Sequence, residues 1–490
     1  MDCLAETACN DAVSLSVDYI WRVMAIGVLL FSSVNAMAAK NDAYIDNISK
    51  RASVLERQIN TLRTQISNQE QLGTKDDATT KIDILLANTK YGSFVVSSPV
   101  FGMVRSDDNC SDLLGALPTM NEDLVILELR QKMDNYAKAN NIPFATRPVI
   151  SLSGGVEAGI DYRSNSNFYP VSKSSIMLNK AELDIIVEVS SWATGAMIIN
   201  YDDNSATYTG NVAKWNNSRL CIDRAWVTLG ELNKNPYYFT IGQVYAPFGS
   251  YGSNMITTPM ITSLGRTKDR LMILGFNSAN GSYAQIYGFN GETRVDGGEF
   301  IRHAGANIGR RFESQNFIMN IGAGIIGNLA ESQDMQNKIF TTSQINGKIN
   351  SRVFGLNGHI KTMFCGKYGL LAEYIGASNN FNKVDLEFNN QGAKPQAFNF
   401  EGSITFNTLN KLSSVFAGFG LTSQVLALNL PKQSFCLGYS ILPTKYAQII
   451  TEYRHDINYA WTDTGSRGGN SVVVPGRHNN RVAMTLSLYF

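Results

Sequence analysis

The stretch Asn479-Asn-Arg-Val-Ala-Met-Thr-Leu-Ser-Leu-Tyr-Phe490 decides how the rest of the chain is read. In an extended backbone successive side chains point to opposite faces. Val482, Met484, Leu486, Leu488 and Phe490 therefore share one face, and Arg481, Thr485 and Ser487 share the other. A strand that is apolar on one side and polar on the other suits a wall between hydrocarbon and water.

The same period of two runs upstream as far as Pro148. In 150–162, Ile150, Leu152, Val156, Ile160 and Tyr162 oppose Ser151, Ser153, Glu157 and Asp161. In 177–189, Met177, Ala181, Leu183, Ile185, Val187 and Val189 oppose Lys180, Glu182, Asp184 and Glu188. In 398–407, Phe398, Phe400, Ile404 and Phe406 oppose Asn399, Glu401, Ser403, Thr405 and Asn407. Segments of similar length can be placed throughout the region, giving about sixteen strands, an even number as a closed single-chain barrel needs. The fold class expected is all-β: a transmembrane antiparallel β-barrel over 148–490. An open edge in lipid would leave backbone groups unsatisfied at several kcal/mol each, so the sheet should close. The longest connections, 246–268 and 327–350, are rich in Gly, Ser, Thr and Asn and are expected to face the exterior.

Upstream the pattern changes. Val23–Val34 is one short apolar run followed by Asn35-Ala-Met-Ala-Ala39, which reads as a signal peptide over 1–38 with cleavage after Ala38. Asp2, Glu6, Asp11 and Asp18 depart from a basic n-region, which fits translation starting nearer Met24. Without those four acids and Arg22, 41 bases face 37 acids. Over 41–72 the spacing is strictly three and four: Ile45, Ile48, Ala52, Leu55, Ile59, Leu62 and Ile66 form a heptad seam. That seam either joins protomers in a periplasmic coiled coil or packs on its own chain. A connecting region, 73–147, follows, with helical periodicity returning over 119–140, where Ile126, Leu129, Met133 and Tyr136 or Ala137 fall on one face.

Composition agrees with a barrel. The chain has 490 residues, 41 Gly, 21 Tyr, 24 Phe and a net charge of +1, so no nucleic-acid partner is indicated. A mean hydropathy of −0.11 does not oppose a membrane location, since only alternate barrel residues meet lipid. Cys110, Cys221, Cys365 and Cys436 are scattered without ligand spacing.

No motif points to an enzyme. G-x-S-x-G, P-loop and H-E-x-x-H patterns are absent, and His303, His359, His455 and His478 lie on separate segments. Gly322-Ala-Gly324-Ile-Ile-Gly327 matches a dinucleotide fingerprint, but it sits in strand-like periodicity with no acid about 20 residues on. Small residues on a crowded wall explain it better. No metal site and no cofactor are expected. If the apolar faces meet lipid, Lys180, Glu182, Asp184, Glu188, His303, Arg311, His359, Lys361, Lys367, Glu373, Glu452 and Arg454 line the lumen. Their mixed signs argue against strong anion selectivity, which would show a basic ladder.

The C-terminal strand with its last Phe490 resembles the closing strand of bacterial outer-membrane barrels, which implies the barrel-assembly machinery as a partner. The order of parts, with Ser97-Ser-Pro-Val-Phe-Gly-Met-Val-Arg-Ser106, Ser111-Asp-Leu-Leu114 and Thr119-Met-Asn-Glu-Asp-Leu124 just before the barrel, resembles the LbtU-type siderophore porins of certain intracellular gamma-proteobacteria. The resemblance implies an outer-membrane receptor or channel in siderophore-linked iron uptake, working without a plug-type energised mechanism. It transfers no binding residues. The expected partners are outer-membrane lipid and a ferric siderophore or other small solute. The rival readings are a general or sugar- or anion-selective porin, then a phospholipase-type enzyme, then an adhesin.

Overall fold

The computed structural model describes residues 93–96, 120–139, 147–164, 172–202, 219–292, 301–314, 317–332, 335–336, 349–350, 352–444, 446–467, 471–473 and 478–489. The signal segment, the heptad seam from Ile45 to Ile66, Cys110 and Phe490 lie outside the described residues.

A short strand, β1 (Ser93–Val96), and a helix, α1 (Glu122–Ala139), precede the barrel. The wall then begins with β2 (Val149–Arg163), β3 (Lys173–Ser190), β4 (Ala193–Asp202), β5 (Arg219–Gly230) and β6 (Tyr237–Tyr245). A six-residue helix, α2 (Met260–Gly265), lies in the connection to β7 (Lys268–Asn277). The wall continues through β8 (Ser282–Phe289), β9 (His303–Ser314), β10 (Phe317–Ile326), β11 (Gly355–Phe364) and β12 (Tyr368–Ala377). Two small strands, β13 (Leu386–Phe388) and β14 (Gln391–Gly392), leave the wall before β15 (Gln396–Thr408), β16 (Lys411–Ser423), β17 (Gln433–Thr444) and β18 (Ala447–Ile457). Two more, β19 (Gly465–Arg467) and β20 (Ser471–Val473), lead to the last strand, β21 (Asn479–Tyr489).

Among the described residues the large sheet has seventeen strands, β1 and sixteen antiparallel neighbours. β21 pairs with both β18 and β2, Gly155 opposite Tyr489 and Arg163 opposite Arg481, so the sheet closes on itself. The sixteen-stranded barrel expected from the alternation is present. β1 pairs parallel with β2 at Ser93–Val149 to Val96–Leu152, beyond the point where β21 stops. It continues the lane of the last strand across the seam. β13, β14, β19 and β20 form a separate four-stranded sheet in the connections.

The two faces differ as the sequence requires. Ile160, Ile176, Leu220, Leu274, Ile308, Phe400, Ile404, Leu437 and Leu486 are exposed on the outside, whereas Ser153, Asp184, Thr228, Gln285, Glu401 and Thr485 are buried inside. Outward aromatic pairs mark the ends of the apolar band. Tyr237 meets Phe276 at 5.3 Å and Phe317 meets Phe364 at 5.0 Å near the short turns, and Phe419 meets Phe435 at 5.0 Å toward the other end. A closed ring of strands with an apolar belt between aromatic girdles is stable in hydrocarbon because no backbone group is left without a partner.

Extra residues break the parity, at Asp223 of β5 and in β3. In β3 the pairing with β2 shifts between Glu157 and Ala158, leaving Asn179 as an extra residue. The bulge turns Ile176 and Leu178 outward, so Ile176, 82% exposed, occupies the lipid face that the unbroken alternation assigned to Met177.

Inside, rings lie across glycines of the neighbouring strand. Tyr238 covers Gly275, and Tyr283 covers Gly309, where a Cβ would fall well inside van der Waals contact with the ring. Gly322 does the same for His359, whose imidazole would stand 2.5 Å from an added Cβ. The Gly322-x-Gly324 pattern is therefore wall packing in β10.

Candidate functional site

Two inserts line opposite arcs of the lumen. The first is α1. Its opening Glu122 and Asp123 suit the positive end of the helix dipole. Glu122 forms an ion pair with Arg224 of β5, and Arg224 also meets Glu182 of β3 at 3.2 Å and Asp223 at 2.9 Å. The Thr240 hydroxyl of β6 donates to Asp123 at 2.7 Å. Burial pushes the Asp123 carboxyl up, and Thr240 offsets part of that. Leu124 and Leu127 pack on Tyr238 and Tyr283.

Toward its C-terminus the helix stays tied to the wall. Glu128 accepts from Asn277 at 3.1 Å and from Arg311 at 2.6 Å. Arg130 donates to the Thr194 hydroxyl and the Gly230 carbonyl, which flank the short turns. Arg147 bridges Asp134 at 3.4 Å and Glu188 at 3.6 Å. Of the apolar face expected over this helix, Ile126 is buried as expected. Leu129 is exposed, and Asp123, Leu127 and Arg130 are buried instead. The reason is that the helix packs on a polar wall and selects residues with specific partners.

The second insert is the connection 246–267. Its polar composition predicts an exterior loop, but the chain folds inward and three wall carboxylates hold it. Glu373 of β12 accepts from Ser250 N at 2.7 Å and Tyr251 N at 2.8 Å. Glu401 of β15 accepts from Ser253 Oγ and Asn254 N, both at 2.7 Å, and from Asn254 Nδ2 at 2.6 Å. Glu452 of β18 accepts from Ile256 N, Thr257 N and the Thr257 hydroxyl. Arg454 Nη1 donates to the Thr258 carbonyl at 3.2 Å. Thus the polar residues that suggested solvent find acceptors on the far wall. Met255 is buried with Phe416, Cys436 and Ile450, and α2 packs on β12 through Gly265 and Ile375. Burial beside Glu373 pushes the Tyr251 phenol well above its usual range.

The residues expected in the lumen divide accordingly. Lys180, Glu182, Asp184 and Glu188 share the inner face of β3, with Lys180 2.8 Å from Glu182 and Asp184 accepting from Ser153 at 3.1 Å. His359 of β11 is buried against Asn357 at 3.1 Å, and Lys361 lies on the same face two residues on. His303 is buried 3.3 Å from Glu331 at the long-loop end. Arg311, Glu373, Glu452 and Arg454 serve as anchors for α1 and the connection. Lys367 does not face the lumen: it is exposed in the turn 365–367 between β11 and β12, because β11 ends at Phe364. Asp123, Glu128 and Arg224 are anchors that strand alternation did not single out, and Glu401, which alternation turned inward, is an anchor whose partners it did not show. Arg163 and Arg481 also face inward, opposite one another on β2 and β21.

No family model matches the chain. Among solved structures, the outer-membrane channel DcaP of Acinetobacter baumannii is similar at 14% identity and a TM-score of 0.46, covering 70% of this chain and 97% of that one. An anion-selective porin from Comamonas acidovorans is similar at 10% identity and a TM-score of 0.44, covering 70% and 99%. At those values the likenesses add nothing to the strand pairing, which stands by itself. Sequence relatives are nearer. A UPF0422 protein of Legionella pneumophila strain Paris is 34% identical over 403 residues, 79% of this chain and 73% of the relative. A UPF0422 protein of Coxiella burnetii is 32% identical over 482 residues, 96% of this chain and 99% of the relative. Agreement from end to end at that identity fixes the kinship: the chain belongs to the UPF0422 family.

Proposed function

We propose that the protein is a passive outer-membrane channel for a small solute, with a ferric siderophore as its cargo. The observation that carries the channel reading is the connection 246–267, folded into a closed barrel and clasped by Glu373, Glu401 and Glu452. A chain segment fixed against the inner wall at mid-height narrows a water-filled tube, and width together with wall charge then sets what passes. Diffusion through such a tube needs no catalytic group. The barrel-assembly machinery and outer-membrane lipid are its partners in this reading, and the seam from Ile45 to Ile66 holds protomers together in the periplasm.

The iron-chelate cargo rests on the resemblance carried by Ser97–Ser106, Ser111–Leu114 and Thr119–Leu124. A general solute porin is favoured by a different observation: the lumen carries paired acids and bases on many strands. Two measurements separate these readings. Purified full-length protein in planar bilayers should give discrete conductance steps; none would refute a channel. Deletion of the gene should lower uptake of labelled ferric siderophore under iron limitation. Unchanged uptake with a conducting protein would leave the general porin.

A further inference from the structure

We infer that Arg310, on the outer wall near the short turns, binds the phosphate of an anionic phospholipid in the leaflet at that end of the barrel. The inference needs the barrel to lie in a membrane and does not depend on what the tube conducts. Strand β9 fixes which way Arg310 points. His303 and Asn307 are buried on the inner face and Arg311 reaches Glu128 of α1, whereas Ile308 is 64% exposed on the other face. Arg310 therefore shares the lipid side with Ile308 and Phe312. Register sets it between Ser282 of β8 and Ile321 of β10, and Ile321 is exposed on the same side.

A cation on a barrel's outer face is costly at mid-membrane and tolerated near the interface. Arg310 precedes the end of β9 at Ser314 by little more than a pleat repeat, and its Cζ stands 4.7 Å from the centre of the Phe312 ring, on the side of the short turns. The guanidinium is thus carried toward the aromatic level that Phe317 and Phe364 mark on the next two strands. Aromatic side chains of this kind sit at the height of lipid headgroups. Among the described residues no carboxylate pairs with Arg310, since Glu128 is taken by Arg311 on the inner side. Glu313, the one acid in β8, β9 and β10, falls on that inner side as well.

The surroundings suit a phospholipid. Stacking on Phe312 holds the guanidinium plane, and a held fork can give two parallel N–H···O bonds to one phosphate. The Ser282 hydroxyl lies on the same side of the neighbouring strand, about 5 Å away across the pair, and supplies a further donor. Ile286, Ile308 and Ile321 are exposed around it and offer an apolar bed for acyl chains. A ligand that is anionic at one end and apolar at the other satisfies both parts, and a free anion satisfies one. With Glu313 turned inward, these strands hold no outward carboxylate for an ammonium group, which favours a headgroup of net negative charge.

Native mass spectrometry of the detergent-solubilised full chain, titrated with phosphatidylglycerol, tests the site. The wild type should hold one phosphatidylglycerol more tightly than further copies, and more tightly than diacylglycerol, which lacks the phosphate. Arg310→Gln should weaken that first binding step about tenfold or more, as expected for losing charge-assisted hydrogen bonds. Arg270 is the control: it lies outward on β7 at the long-loop end, beside the exposed Met272. Arg270→Gln removes the same charge from the wall and should leave the step unchanged. Heat-modifiable migration in gels checks that each variant barrel is folded. Equal binding of phosphatidylglycerol and diacylglycerol by the wild type, an unaltered step in folded Arg310→Gln, or equal losses in the two variants overturns the inference. Competition by glycerol phosphate at the concentration of the lipid would also overturn it, because the acyl chains would then contribute nothing.

Discussion

Replacing Arg224 by Met tests whether α1 is held in the lumen by its charge network. Arg224 is fully buried and meets Glu122 of the helix, with Glu182 and Asp223 on the wall. Each pair is worth about 4 kcal/mol of gross attraction at an effective dielectric of about 20, most of it offset by desolvation. Breaking a buried pair by removing one partner costs about 3–5 kcal/mol, because the stranded carboxylates remain. The rest of the docking comes from Leu124 and Leu127, at about 2 kcal/mol each when buried, and from the Arg130 and Glu128 contacts. Arg224→Met therefore removes roughly a third to a half of the docking free energy.

At about 1.4 kcal/mol per decade, that loss raises the opening frequency of α1 by about two to four orders of magnitude. Hydrogen exchange read by mass spectrometry on detergent-solubilised protein measures it directly. Peptides covering Glu122–Ala139 should exchange faster by that factor, while strands such as β15 and β16 should keep their protection. Glu122→Gln should have a smaller effect, since Arg224 keeps its two wall partners. If α1 exchanges equally in wild type and Arg224→Met, and the variant barrel is folded, the charge network does not hold the helix.

Other outcomes follow from the same geometry. The triple variant Glu373→Gln, Glu401→Gln, Glu452→Gln weakens every clasp of the connection at roughly 1–3 kcal/mol per site; single-channel recording should show larger, noisier conductance, and an unchanged trace would contradict a constricting role. Gly309→Val drives a side chain into the Tyr283 ring and should cost about 3 kcal/mol or more in barrel stability, read as a lower unfolding midpoint in urea. A spin label at Phe400 should be relaxed by oxygen and one at Ser403 by a water-soluble nickel complex; the reverse would invert the assignment of the wall.

Much of the barrel was legible because alternation is a local property. Val482, Met484, Leu486 and Leu488 face out, and Thr485 and Ser487 face in, as the spacing of the last strand demands. Parity fails where the backbone adds a residue: nothing in 173–190 announces the bulge at Asn179, and beyond it the two faces exchange. The connection 246–267 was misread for a different reason. Its Ser, Thr and Asn residues look solvated until Glu373, Glu401 and Glu452, more than 120 residues downstream, supply the acceptors. Glu401 was recognisable as an inward residue, but its partners were not. The α1 helix was visible as periodicity, yet its docking face depends on Arg224 and Thr240 from strands about 100 residues away.

Charge counted by residue type misjudges a lumen built this way. Glu373, Glu401 and Glu452 would make the inner wall acidic if all were open to the tube. Each is 1% exposed, with its oxygens directed to amides and hydroxyls of the inserted connection. Glu182 and Asp184 are likewise buried under the α1 arc, while Arg163 and Arg481 keep part of their surface. A carboxylate whose oxygens are taken up by fixed donors is not available as a ligand to a passing ion, so contact is made with the groups left exposed. The inserts thus consume the acids and leave bases showing, so the sign of the field should be set by exposure. A reversal potential measured across a potassium chloride gradient reads that sign: preference for chloride is expected, and preference for potassium would mean that the buried carboxylates still govern the tube.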